Sequence, residues 1–165
     1  AILASGVSVN WALKAQKLLN DDFRVACTIY SVTSWNELRR DGLAVDRHNL
    51  LNPGKKISAF ITKKLKKEKG PVIAVSDFMR SVQDQIAPWV DQPFYSLGTD
   101  GFGLSDTRGA LRRHFKVDAE SISVAALSQL ADQQMISKRK VKKAISKYQI
   151  NDVNAADAGN TEGSG

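Results

Sequence analysis

Trp11, Ala12, Ala15, Leu18 and Leu19 recur at helical spacing, with Asn10, Lys14 and Lys17 turned outward, which predicts an amphipathic helix over residues 7–20. Residues 23–32 then change rhythm. Phe23, Val25, Cys27 and Ile29 alternate with smaller or polar residues, the period-two pattern of a strand. Thr33 or Ser34 can accept the first free amides of a following helix, and Glu37, three residues after Ser34, completes a capping-box pattern, so the next helix begins at Trp35. After the turn composition Asn52-Pro53-Gly54, the residues Ile57, Phe60, Ile61 and Leu65 mark one face of a further helix, ended by Gly70-Pro71.

The run 72–75, Val-Ile-Ala-Val, is uninterruptedly apolar between turn residues, as expected of a strand covered on both faces. Met79, Val82, Ile86 and Trp89 mark a helix frayed near Pro88, and residues 94–97 return as a strand. Asp106 is placed to cap a helix running through Phe115, and Asp118 one over residues 119–133. Val141, Ala144, Ile145 and Tyr148 form the cleanest helical stripe in the chain. Alternating strands and helices, with connections long enough for crossovers, argue for an α/β three-layer domain with a mainly parallel sheet over residues 1–150. From Asn151 to Gly165 the sequence lacks the apolar content to offset ordering entropy, and a mobile polar tail is expected.

The chain opens on Ala-Ile-Leu-Ala, which reads as the end of a strand, so a piece of a longer polypeptide is expected. Its 165 residues suit one domain, and no apolar run approaches the roughly 18 residues of a membrane span. The single cysteine, Cys27, lies in an apolar run, which suggests a buried structural thiol and suits a reducing cytoplasm.

Net charge is +7, and its distribution matters more than its sum. Lys63, Lys64, Lys66, Lys67 and Lys69 form one cluster; Lys138, Arg139, Lys140, Lys142, Lys143 and Lys147 form the other. They imply either solvated helix faces or an anionic partner, with Lys63, Lys64, Lys66, Lys67, Lys138, Arg139, Lys140, Lys142 and Lys143 as the steering residues. A basic module for anions or nucleic acid is the alternative. The absence of exposed aromatics in either helical pattern, and of any reader motif, disfavours nucleic acid.

Gly98, Gly101 and Gly103 invite comparison with phosphate-binding loops, but no Gly-Lys-Ser/Thr follows and Asp106 stands where a dinucleotide fingerprint needs its third glycine. A structural turn presenting Phe102 to a neighbouring domain is the stronger reading. Ser8, at a strand-to-helix turn, lacks the second glycine of a nucleophile elbow because Asn10 occupies that position, and a capping role suits it better. His48 and His114 lie beside arginines, which disfavour a bound cation, and no Cys/His ligand spacing exists.

Residues 95–118, YSLGTDGFGLSDTRGALRRHFKVD, together with YSVTSWNELRRDG at 30–42 and SDFMRSVQDQIAPWV at 76–90, resemble the C-terminal domain of the homodimeric type of pyruvate dehydrogenase first component. This resemblance extends from Ser5-Gly6 to about Ile150. It implies a transketolase-type C-terminal fold, a mixed five-stranded sheet with one antiparallel edge strand. It further implies a parent that decarboxylates pyruvate on thiamine diphosphate with Mg²⁺ and reductively acetylates lipoamide, the cofactor supplying the carbanion chemistry.

The diphosphate, metal and activating-glutamate sites belong to preceding domains, so the resemblance assigns no catalytic, cofactor or metal residue to this chain. It implies instead a dimer-supporting role, with Thr99, Asp100, Phe102 and Asp106 in the glycine turn and Trp35, Glu37 and Arg39 as interface residues. The partners it implies are a second copy of the parent and the dihydrolipoyl acyltransferase core with its lipoyl domains. Another thiamine enzyme of the transketolase type is the remaining alternative.

Overall fold

A computed structural model describes residues 1–157 of the chain. Four strands, β1 (Ile2–Ala4), β2 (Ile29–Ser31), β3 (Val72–Val75) and β4 (Phe94–Leu97), form one sheet in the order β2-β1-β3-β4. All neighbours run parallel, with Ile2 beside Ile29 and Ile73, and Val72 beside Phe94. The helices are α1 (Ser8–Phe23), α2 (Trp35–Leu51), α3 (Phe60–Leu65), α4 (Arg80–Asp84), α5 (Arg108–His114), α6 (Ala119–Asp132) and α7 (Lys138–Lys147).

Alternation along the strands divides the core in two. Ile2, Ala4, Ile73, Val75 and Leu97 face a layer built from α1, α6 and α7, while Leu3, Val72 and Ala74 face one built from α2, α3 and the segment around Ile86 and Val90. The three-layer α/β architecture is as the sequence predicts, and β3 is buried at every position because both of its faces are covered.

Several expectations are corrected. The described residues contain four strands, all parallel, rather than a mixed five-stranded sheet, because every strand-to-strand connection carries a helix that returns the chain to the same end and none is a reversing hairpin. The strand expected over 23–32 shrinks to Ile29–Ser31. Phe23 ends α1, buried in the core, and Arg24 closes that helix in a left-handed conformation (φ 55°), its N–H bonding Asn20 O while Val25 N–H reaches Leu19 O.

In α3 the buried positions are Ile61 and Leu65, with Ala59 buried just before it, whereas Ile57 ahead of the helix and Phe60 at its start are exposed. The helix expected through Met79, Val82, Ile86 and Trp89 breaks into α4 and a 3-10 turn at Ala87–Trp89, with Pro88 in that turn. Thr107, not Asp106, is the N-cap of α5, its side chain accepting from Ala110 N–H; Asp106 accepts instead from Thr107 N–H at 2.7 Å. Ser8 makes no side-chain cap bond at the start of α1. Two caps hold as read: Ser34 accepts from Glu37 N–H at 3.2 Å, and Asp118 from Ser121 N–H at 2.9 Å. Of the expected polar tail, Asn154–Asp157 forms a 3-10 turn against α5, and residues 158–165 lie outside the described residues.

The chain leaves β1 toward β2 on one side and β3 toward β4 on the other. The loops after β1 and β3 therefore diverge at the C-terminal end of the sheet, where open α/β folds place their contacts.

Candidate functional site

Four loops meet along this C-terminal rim: Ser5–Val7 after β1, Val32–Ser34 after β2, Ser76–Met79 after β3 and Gly98–Thr107 after β4. Short polar bonds pin the last two together. Thr99 N–H donates to Phe78 O at 3.0 Å, Thr99 Oγ1 to Asp77 O at 2.7 Å, and Arg80 N–H to Asp100 Oδ1 at 2.9 Å. Gly98 makes this approach possible, since a Cβ there would lie 2.5 Å from Phe78 O. The glycine turn is thus a rigid extension of the β3 loop at its base, while its tip, with Gly101 at φ 101°, has open space around it.

This arrangement holds apolar groups out to solvent. Phe102 is 95% exposed, and Val7, Phe78, Met79 and Leu104 are exposed on the same rim. Beside them a crevice of about 630 Å³ is lined by Ser5, Gly6, Val32, Ser34, Trp35 and Phe78, among others. The indole Nε1 of Trp35 donates to Ser5 Oγ at 2.9 Å at its floor.

The predicted interface residues divide sharply. Thr99 and Asp100 hold the rim together, Phe102 projects from it, and Asp106 is an exposed loop carboxylate. Trp35 is buried in the core, 4% exposed, so its role inside this domain is to anchor the start of α2 under β1. Glu37 is exposed and pairs with Arg40 at 3.1 Å, one turn along; Arg39 is exposed on the same helix. Sequence reasoning missed Phe78 and Met79. Met79 read as the first residue of a buried stripe, but α4 begins only at Arg80, so Phe78 and Met79 belong to the loop before it and are exposed.

The lysine clusters do not share a layer. α3 belongs to the α2 side of the sheet and α7 to the α1 side. Lys140 Nζ donates to Phe23 O at 3.4 Å and Lys147 pairs with Asp22 at 2.5 Å, so two cations of the second cluster tie α7 to the end of α1. Bonds from Lys147 and from the Tyr148 hydroxyl hold the Asp22 carboxyl below its usual range; burial and that same bond push the Tyr148 hydroxyl up.

A buried arginine was also missed. Arg113, 1% exposed, pairs with Asp118 and, at 3.4 Å, Glu120, and it donates to Tyr148 O and Gln149 O. In sequence it is one of two adjacent arginines, and nothing local distinguishes it from Arg112. Arg112 instead lies over the Trp11 ring, 4.4 Å from its centre.

None of the reactive candidates assembles into a catalytic group. Ser8 is buried at the first position of α1; His48 Nε2 donates to Lys55 O at 3.1 Å; His114 stacks edge-on against Phe115. Cys27 is half-buried in the connection before β2, and burial pushes its thiol up. Among the described residues no three His, Cys, Asp or Glu side chains are placed to hold a metal ion together. Near the glycine turn the carboxylates Asp77, Asp100 and Asp106 outnumber the cations Arg80 and Arg108, and Arg80 is itself bonded to Ser96 Oγ, so no set of cations converges on a diphosphate there. These residues do not fit a thiamine diphosphate–Mg²⁺ group.

Residues 1–118, the whole sheet with its rim, match the family model described as the transketolase-like TK C-terminal domain. The chain belongs to this transketolase-like C-terminal domain family. A solved structure titled split gene transketolase, inactive beta4 tetramer, shares the fold of this domain, with a TM-score of 0.53 at 18% identity over 79% of this chain and 38% of that one. The domain is also 49% identical over 156 residues, 94% of its length, to the pyruvate dehydrogenase E1 component of Mycolicibacterium smegmatis. It is 47% identical over 162 residues, 98% of its length, to that of Mycobacterium tuberculosis. It spans 17% of the length of each of these curated relatives. Among the described residues no helix is long and apolar enough to cross a membrane.

Proposed function

We propose that this transketolase-like domain is the non-catalytic, dimer-supporting C-terminal part of a pyruvate dehydrogenase first component. In this reading the parent chain decarboxylates pyruvate and reductively acetylates lipoamide in a multienzyme complex in the cytoplasm. Thiamine diphosphate and Mg²⁺ supply the carbanion chemistry and are held by domains preceding this one. The parent's partners are a second copy of itself and a dihydrolipoyl acyltransferase core with mobile lipoyl domains. Relatives that bear this name and share nearly half of all positions support the assignment of the reaction.

The observation that carries the domain's own role is the rim. An aromatic side chain 95% exposed, on a turn pinned at its base by three hydrogen bonds, is arranged to enter a neighbouring surface rather than to react. Phe78, Met79 and Leu104 then provide the apolar surround.

The test is oxidation of pyruvate by the full-length parent with an artificial electron acceptor, dependent on thiamine diphosphate and Mg²⁺, beside the same assay with 2-oxoglutarate. Activity confined to pyruvate is expected. Phe102→Ser should then lower activity and weaken dimerisation together, measured by sedimentation at graded concentrations. Turnover of 2-oxoglutarate alone, or of neither substrate by folded, cofactor-loaded protein, would sink the assigned reaction. A Phe102→Ser dimer as tight as wild type would sink the role of the rim.

A further inference from the structure

α7 is a helix that works against itself. Its ten residues carry six basic side chains and no acidic one. Its first turn begins Lys138-Arg139-Lys140 at the positive end of the helix dipole, with no cap bond from the Ser137 side chain. Lys138 and Lys142 stand one turn apart, as do Arg139 and Lys143, so like charges face each other along one stripe. The lysines of α3 differ, since Lys63 and Lys64 occupy the last turn, where the dipole favours cations.

The body of the domain holds α7 in place despite this repulsion. Ala144 is buried, Val141 and Tyr148 pack on the α1 and α6 core, and Arg113 grips the two carbonyls that follow the helix. Lys140 and Lys147 are engaged with the end of α1, and Lys143 feels the Asp22 carboxylate there through space, whereas Lys138, Arg139 and Lys142 have no such neighbour; all four of Lys138, Arg139, Lys142 and Lys143 are exposed and form no direct ion pair among the described residues. α7 lies beyond residues 1–118, the part matched by the family model, yet inside the 98% of the chain shared with the M. tuberculosis relative. It belongs to what this chain shares with E1 components, outside the stretch that defines the fold family.

We infer that the outer face of α7 docks a carboxylate-rich protein surface. Carboxylates set against this stripe relieve the repulsion between its cations and oppose the misplaced charge of the first turn. The stripe is about 8 Å long at the helical rise, a length that carboxylates on one or two helix turns can match. It is too short to track a nucleic-acid backbone, it carries no exposed aromatic side chain on which a base could stack, and the other lysine cluster, around α3, lies across the sheet and does not extend it. This inference does not depend on the reaction proposed above.

The experiment uses the full-length parent and three probes, poly-L-glutamate, duplex DNA and phosphatidylglycerol vesicles, at about 50 mM salt, where surface charge is weakly screened. Two variants of equal charge change are compared, K138Q/R139Q/K142Q/K143Q on α7 and K63Q/K64Q/K66Q/K67Q around α3. Poly-L-glutamate should bind best, with a loss of about tenfold or more for the α7 variant and under about twofold for the α3 variant. The α7 variant should also melt at or above the wild-type temperature, because repulsion has been removed. Equal losses in the two variants, absence of binding, tighter binding to DNA or vesicles, or a destabilised α7 variant would each overturn the inference.

Discussion

The two helical layers on either side of the sheet are finished to different degrees. On the α1 side, long helices cover Ile2, Ala4, Ile73 and Val75, and the layer is closed by polar locks, Arg113 with Asp118 and the Asp22–Lys147–Tyr148 cluster. On the α2 side, a helix of 17 residues buries only Trp35, Gly42 and Val45, while Leu43, Leu50, Leu51, Ile57 and Phe60 remain exposed. α3 and α4 are short, with six and five residues. The α1 layer leaves Leu13 and Met135 exposed but is tied by its polar locks, whereas the α2 layer leaves more apolar surface, of the kind that other domains cover. Isolated stability should therefore reside mainly in the α1 side, and assembly should draw on the α2 side and the rim.

The sharpest way to break this contrast is Arg113→Ala. It leaves Asp118 and two carbonyls buried without their cation, and a loss of about 3–5 kcal/mol is expected in urea unfolding. A loss under about 1 kcal/mol would remove the lock from the comparison. On the other layer, Gly42→Ala would place a Cβ 2.3 Å from the Trp89 ring, whose Nε1 donates to Asp46, so Trp89 must move. About 1–3 kcal/mol is expected, with a shift in tryptophan fluorescence as the local readout.

Next in size is the pH dependence of the Asp22 cluster. Its carboxyl is held below the ordinary value near 3.8, so the stabilisation it gives is present above that value and is lost as pH falls through the lowered one. The difference in stability between wild type and Asp22→Asn, measured by thermal melts across acid pH, should shrink in that window. A difference independent of pH would mean that the ion pair is irrelevant. Smallest of all should be Leu50→Ser combined with Met79→Ser, within about 0.5 kcal/mol in the isolated domain because neither side chain is buried. A clear loss there would mean that the α2 layer is better packed than its exposure implies.

Much of the α1 side is legible in sequence because its signals are local. Ala12, Ala15 and Leu19, and Val141, Ala144 and Tyr148, follow the helical period, and Asp118 announces its own helix. Errors concentrate where two local signals compete. The alternation from Phe23 read as a strand because Phe23 also fits one, but the buried slot beneath α1 claims it for the helix. Asp106 and Thr107 are both good caps, and the choice between them rests on where the glycine turn delivers the chain. The stripe Met79, Val82, Ile86 and Trp89 fits one helix on paper, yet the tether of Thr99 to Phe78 and of Asp100 to Arg80 starts α4 after Met79.

The candidate site shows the same division. The glycine turn and Phe102 stand out in the sequence because three glycines around an aromatic residue make little sense in a core. Phe78, Met79 and Leu104 do not stand out, since apolar residues are by default read inward.

By itself the sequence determined the alternation of strands and helices, the doubly covered strand at Val72–Val75, two of the helix caps and the two separate lysine clusters, although α3 ends at Leu65 rather than at Gly70-Pro71 and leaves Lys66, Lys67 and Lys69 beyond it. Each follows from the spacing of neighbours a few residues apart, which periodicity records. Only the tertiary structure decided that Arg113 is buried and Arg112 is not, that Trp35 is buried at the floor of the crevice, and that the two basic segments lie on opposite sides of the sheet. Those outcomes depend on groups 30 or more residues apart, as with Trp35 and Ser5 or Arg113 and Tyr148. No local pattern encodes which of two similar side chains will meet such a distant partner.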